Sequence, residues 1–218
     1  MNDDLIIEQF RLGPLWNFAY LVGSRAAGEA AVIDPGVGST VLLERAAEIG
    51  ARVVALVATH FHKDHTAGVA TLVDKTGAAV QIHHADEGGL RTHFHGPLRA
   101  TDDMESIQVG DHLLHLWHAP GHTSGSQWVV VDGSVFTGDS LMVGCVGRTG
   151  YEDNAMERMW WTFSERFPLL EDGIRIYPGH DYGREPWSTV GRERHRNASL
   201  RATTIDEFVR SLDADGQG

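Results

Sequence analysis

The chain has 218 residues, 42% of them hydrophobic and 22% charged, which supplies a sizeable core and excludes an intrinsically disordered segment. A formal net charge of −12 excludes a broad basic surface tracking phosphates, so small molecules are expected as partners and nucleic acids are not. One cysteine among 13 histidines rules out an internal disulfide and directs attention to imidazole, the commonest metal ligand.

The alternation at Leu5 to Phe10, Phe18 to Val22 and Ala30 to Ile33 predicts three strands of an antiparallel meander, closed by Asp34-Pro35-Gly36. Ser39 or Thr40 is placed to cap a helix through Ile49, with Gly50 as its stop, and the apolar run Val53 to Ala58 then reads as a buried strand. A helix over Ala67 to Lys75, closed by Gly77, leads into a strand at Ala79 to Ile82. Residues 84–103, with His93, His95 and Pro97, admit either a lid or a loop. Strands follow at Leu113 to His118, Gln127 to Val131 and Ser134 to Phe136, then a helix near Asn154 to Phe167 and a strand at Ile174 to Tyr177. Two half-domains of sheet covered by helices predict an α+β fold, an αββα sandwich, in one domain over residues 1–212 with a disordered tail at 213–218. No apolar run reaches membrane-spanning length and no signal-like segment opens the chain, so a cytoplasmic, reducing compartment without a membrane partner is expected.

The strongest local signal is Thr59-His60-Phe61-His62-Lys63-Asp64-His65, set after a buried strand and before a helix. In an extended loop, positions two apart point the same way, so His60 and His62 can grip one ion while Asp64 and His65 turn toward a neighbouring point. His122, Asp139 and His180 each stand beside a glycine at the end of an expected strand, where the backbone bends sharply and brings a ligand close. A lone histidine is an ordinary surface residue; seven such positions in this order make a metal site.

Taken together these residues resemble the metallo-β-lactamase superfamily from Leu5 to about Val209. In its dinuclear members, the resemblance implies one metal on His60, His62 and His122, a second on Asp64, His65 and His180, and Asp139 bridging. Several segments also resemble persulfide dioxygenases: Phe-Thr-Gly-Asp-Ser-Leu at 136–141, Gly-Arg-Thr at 147–149, Tyr-Pro-Gly-His-Asp-Tyr at 177–182 and Ser-Thr-Val-Gly-Arg-Glu-Arg at 188–194. That family has an acidic residue after Gly-Arg-Thr where this chain has Gly150. In that branch, His60, His122 and Asp139 alone would bind a single Fe(II), and glutathione persulfide would be oxidised to sulfite and glutathione.

Two imidazoles and a carboxylate on one face leave three positions of a ferrous ion open for substrate and dioxygen. The alternative is a glyoxalase II-like thioester hydrolase, with two Zn(II) or mixed metals lowering the pKa of a shared water. Only 38 residues follow His180, fewer than the helical substrate domain of full-length glyoxalase II enzymes needs. A metal-binding or sensing module without catalysis is a third reading, disfavoured because every ligand position is filled. For an anionic thiol substrate, Arg148 and, less directly, Tyr182 are the candidate contacts, while Arg184, Arg192, Arg194, Arg196 and Arg201 fit a solvated helical face. Trp16 is a candidate pocket wall and Cys145 a buried or pocket-wall thiol. Trp160 and Trp161 read as packing aromatics, and His83, His84, His112, His115 and His118 as structural or exposed. A homodimer is left open.

Overall fold

A computed structural model describes residues 3–150 and 152–214, the side chains of 213 and 214 excepted. The N-terminal apolar runs form the expected meander: β1 (Leu5–Leu12) pairs antiparallel with β2 (Asn17–Ser24), and β2 with β3 (Glu29–Ile33). Helix α1 (Thr40–Glu48) makes the crossover to β4 (Arg52–Val57), which lies parallel to β3. The chain then bends through α2 (Lys63–Thr66) and α3 (Val69–Thr76) to β5 (Val80–His83), α4 (His84–Arg91) and β6 (Leu98–Thr101), extending the parallel part of the sheet. The unassigned stretch 84–103 is therefore a helix and an edge strand. Two glycines inside α4, Gly88 and Gly89, mask its helical periodicity in the sequence.

The second sheet is mostly antiparallel. It is built from β7 (Glu105–Val109), β8 (His112–His118), β9 (Gln127–Val131), β10 (Ser134–Gly138), β11 (Arg175–Pro178) and the short β12 (Ser188–Thr189), with β10 and β11 the parallel pair. Between β10 and β11 runs α5 (Ala155–Trp161), prolonged by a π turn and a 3₁₀ turn to Leu169, so the expected helix to Phe167 exists but changes pitch. After β12 come α6 (Val190–Arg196) and α7 (Ile205–Ala214). The expected tail, beyond the last residues of α7, lies outside the described residues. Among the described residues, no helix is long and apolar enough to cross a membrane.

Side-chain alternation explains the layers. On β2, Phe18, Tyr20 and Val22 meet Leu114, Leu116, Val129 and Phe136 of the other sheet, while Ala19 and Leu21 face Leu42, Leu72 and Leu90 of the helices. A strand covered on both faces reads as a continuous apolar run, and all eight residues of β2 are buried. A third cluster packs Trp128, Val135 and Ile176 under Met159, Phe163 and Phe208, which completes the αββα order. The mid-sandwich is aromatic: Phe136 stacks on Tyr177 at 5.1 Å and meets Tyr20 edge-on at 4.8 Å. Truncating Phe136 to alanine there costs about 3–5 kcal/mol.

Candidate metal centre

All seven expected ligands gather at one edge of the sandwich, each at the end of a strand. His60 lies in a bend just after β4, and His62 follows with φ −57° and ψ 141°. Asp64 and His65 are turned by α2, whose N-cap is His62, so a helix start and not an extended loop divides the motif between two faces. His122 follows β8, Asp139 follows β10 and His180 follows β11. Glycine is required where these loops touch: a Cβ on Gly179 would sit 2.0 Å from Asp139 Oδ1.

Two triads emerge, each with donor atoms within 4.8 Å of one another: His60, His62 and His122, and Asp64, His65 and His180. Asp139 lies between them, 3.6 Å from His122 Nε2, 3.2 Å from His180 Nε2 and 3.3 Å from His65 Nε2. A third set, Asp34, His60 and His65, is fully buried and shares one histidine with each triad.

The surrounding hydrogen bonds fix which nitrogen is bare. His122 Nδ1 donates to the Arg148 carbonyl at 2.8 Å and His180 Nδ1 to the Leu15 carbonyl at 2.9 Å. His65 Nδ1 donates to Asp34 at 3.2 Å. The Thr59 hydroxyl gives its hydrogen to Asp34 at 2.7 Å and so accepts from His60 Nδ1 at 3.1 Å. Four Nε2 lone pairs are thereby aimed inward: those of His65 and His180 face each other at 3.1 Å, with the Asn17 amide 3.2 Å from His65 Nε2, and that of His122 stands 3.0 Å from His62 Nδ1, which donates to it in one tautomer. Facing lone pairs repel unless a cation lies between them. His60 Nε2 and Asp139 Oδ1 are also buried without a hydrogen-bond partner, a costly state that a bound cation relieves. The residues fit a metal.

The electrostatics agree. Burial, reinforced by neighbouring imidazoles, holds His60 well below the usual histidine pKa and brings His62 to about 4, so both are the neutral ligands a metal needs. Burial opposes charge on His65 and His180 too, but Asp139 with Asp34 or Asp64 overrides it, raising His65 well above its ordinary value and His180 to about 9. Burial likewise works against the charge on Asp139, yet His65 and His180 hold that carboxyl well below the ordinary range. The same field draws a cation of either kind, proton or metal, to these Nε2 atoms.

The site opens into a cavity of about 920 Å³, walled by Leu15, Phe61, Met142, Cys145, Arg148, Glu152 and Tyr182. Arg148 and Tyr182, the candidate substrate contacts, both line this cavity. Tyr182 stacks on His180 at 4.6 Å, and its phenol is raised above the usual tyrosine value by burial, with Asp139 and Asp64 adding to the shift. Trp16 does not line the cavity: a left-handed residue (φ 58°), it turns outward at 55% exposure, and Leu15 takes the wall position. Among the distal arginines, Arg192 pairs with Glu185 and Arg194 with Asp172, away from the cavity. His112 is buried between Asp4 and Asp132, and His93 ties to Thr66 at 2.8 Å instead of forming a lid. Sequence reasoning missed Asn17, Asp34, Thr59 and Asp86 as supports. An acidic residue closing a fully buried strand was the available signal for Asp34; Asp86, in an unassigned segment, offered none.

A four-layer αββα sandwich with a histidine–aspartate cluster at one edge is the architecture of a superfamily of metal-dependent enzymes. Residues 12–202 match the metallo-beta-lactamase superfamily, and the chain belongs to it. It is 33% identical over 205 residues to the mitochondrial persulfide dioxygenase ETHE1 of Bos taurus, covering 90% of this chain and 76% of that protein. It is 34% identical over 184 residues to the hydroxyacylglutathione hydrolase of Maricaulis maris, covering 82% and 67% respectively. The crystal structure of ETHE1 from Myxococcus xanthus matches with a TM-score of 0.83 at 26% identity, over 95% of this chain and 90% of that one.

Proposed function

We propose that the chain is a non-haem iron persulfide dioxygenase that holds one Fe(II) through His60, His122 and Asp139 and oxidises glutathione persulfide to sulfite and glutathione. The observation that carries this reading is a pair of unsatisfied donors: His60 Nε2 and Asp139 Oδ1 both belong to that triad, and both are buried without a hydrogen bond, Oδ1 having only the His65 imidazole beside it at 3.3 Å. Two imidazoles and one carboxylate are the donor set suited to ferrous oxygenase sites, and the relatives named persulfide dioxygenase support it.

Bound iron supplies the activation of dioxygen. The chain's residues do the rest. Leu15, Phe61 and Met142 exclude water from the cavity floor. The exposed Arg148 guanidinium meets a substrate carboxylate with paired donors. The Arg148 carbonyl keeps His122 in one tautomer, and the Thr59 hydroxyl does so for His60. Overall, persulfide, dioxygen and water give thiol, sulfite and two protons: the sulfur–sulfur bond breaks, the terminal sulfur loses four electrons and dioxygen takes them. A reducing cytosol suits such a substrate.

A second reading, a dinuclear zinc hydroxyacylglutathione hydrolase-like enzyme, draws on one observation: Asp139 reaches His122 of one triad and both His65 and His180 of the other. Elemental analysis of protein made without added metal, paired with an oxygen electrode, separates the two. One iron per chain with oxygen uptake dependent on glutathione persulfide is the expected result. Two zinc ions per chain, with glutathione thioester hydrolysis that needs no oxygen, would overturn it.

A further inference from the structure

Asp86 sits in the first turn of α4, 1% exposed, and touches none of the seven ligands. Its carboxylate instead joins the two loops that carry one triad. Oδ2 accepts the backbone N–H of Phe61 at 3.0 Å, midway between His60 and His62, and the hydroxyl of Thr123 at 2.7 Å, next to His122. Oδ1 accepts the backbone N–H of Gly125 at 2.7 Å. The fit around it leaves no slack: a Cβ on Gly125 would lie 2.5 Å from the Asp86 nitrogen, and one on Gly89, further along α4, 2.5 Å from the Phe61 ring.

Three donors converge on one carboxylate, one from the peptide group between His60 and His62 and two from within three residues of His122. Hydrogen bonds to an ionised acceptor are short and strong, so the carboxylate fixes the spacing of the loops. An amide cannot replace it, because whichever way it is turned its NH2 faces a backbone N–H that then has no acceptor. The second triad has no connection to Asp86; its hydrogen bonds run to Asp34, Asn17 and the Leu15 carbonyl.

We propose that Asp86 is a positioning residue that sets the distance between the His60–Phe61–His62 segment and His122, and through it the metal affinity of that triad. The inference rests on the metal-centre reading but not on which reaction the centre performs. The test uses the full chain stripped of metal and titrated with Zn(II) against a chromophoric chelator, with Co(II) absorption as a second readout. Asp86→Asn is expected to weaken the first-bound metal by about 10–100-fold, in the range typical of partners that orient ligands, and to shift the cobalt bands at saturating metal. Thr123→Val, which removes one donor, is expected to weaken binding less, and Thr123→Ser to restore it. That rescue, and a changed cobalt spectrum in folded protein, are effects that general destabilisation does not produce. If Asp86→Asn fails to fold, the Thr123 pair decides. Zinc affinity and cobalt bands unchanged in Asp86→Asn, or Thr123→Ser as weak as Thr123→Val, would overturn the proposal alone. A wild-type chain that takes up no metal would overturn the metal-centre reading and this proposal with it.

Discussion

His65 and His122 both turn Nε2 toward the interior of the site, yet one is oriented by a buried carboxylate and the other by a backbone carbonyl. In the triad of Asp64, His65 and His180, His65 is completely enclosed and is tied to Asp34 and Asn17 by side-chain contacts, while Asp64 and His180 line the cavity. In the triad of His60, His62 and His122, His60 is buried, His62 and His122 line the cavity, and the loops are set by backbone amides on Asp86. The difference separates charge from shape: the His65 triad is organised by fixed negative charge beside its imidazoles, the His122 triad by the path of the main chain.

The sharpest way to break this division is at the residue shared by both halves. Asp139→Ala removes the carboxylate between the triads and is expected to lower metal content and turnover by well over about a hundredfold, beyond the loss from an orienting partner; elemental analysis and rate assays check it. A smaller and one-sided effect is expected from Asp34→Asn. Its NH2 would donate to His65 Nδ1, moving the histidine proton to Nε2 and blocking that ligand atom, with a loss of about 10–100-fold in affinity for the second metal equivalent. Nitrogen-15 NMR of the imidazoles reads the tautomer directly; an unchanged tautomer would show that charge does not organise the His65 triad. Arg148→Gln, at the cavity wall, is expected to raise KM for the glutathione substrate by about tenfold, roughly one charge-assisted hydrogen bond, with kcat nearly constant. A fall in kcat at constant KM would instead assign Arg148 to the chemistry.

The smallest expected effect concerns helix α4, whose Asp86 supports the triad of His60, His62 and His122. His83 caps α4 by accepting the Ala85 N–H, and stacks on His118 at 4.0 Å with His84, Asp102 and Asp103 around the pair. Burial, helped by His118 and His84, lowers His83 to about 4, and burial lowers His118 despite the Ser124 carbonyl and Asp103, with Arg166 opposing charge there as well. Because the unfolded chain takes up these protons first, stability is full above about pH 6.5 and falls as pH drops toward 4. His83→Asn keeps a capping acceptor without the titration. Urea unfolding across this range is expected to show a shallower pH dependence in the variant than in wild type.

The parts of the molecule visible in the sequence were those written in local periodicity or in dense motifs. Strand Gln127–Val131 has the expected bounds, and β1 to β3 differ by at most two residues at either end. The seven candidate ligands were legible as a group because six residues hold four of them and a glycine flags each of the others. Asp34 and Asp86 were not, since their role depends on partners 25 to 39 positions away, brought close only by the sheet. Trp16 misled for the opposite reason: it sits beside Leu15 in sequence, but a left-handed backbone turns it away. Helix α4 was lost to its own glycines, and Gly89 is there because the Phe61 ring occupies the space a side chain would need.

The seven ligands come from both sheets, four from the loop after β4 and three from the ends of β8, β10 and β11. A cation gripped from both sides acts as a rivet through one edge of the sandwich, and its binding free energy is added to that of keeping the sheets together. Stripping it by chelation therefore loosens the seam before either sheet frays, and a protease should find its first cut in the loops bordering that seam.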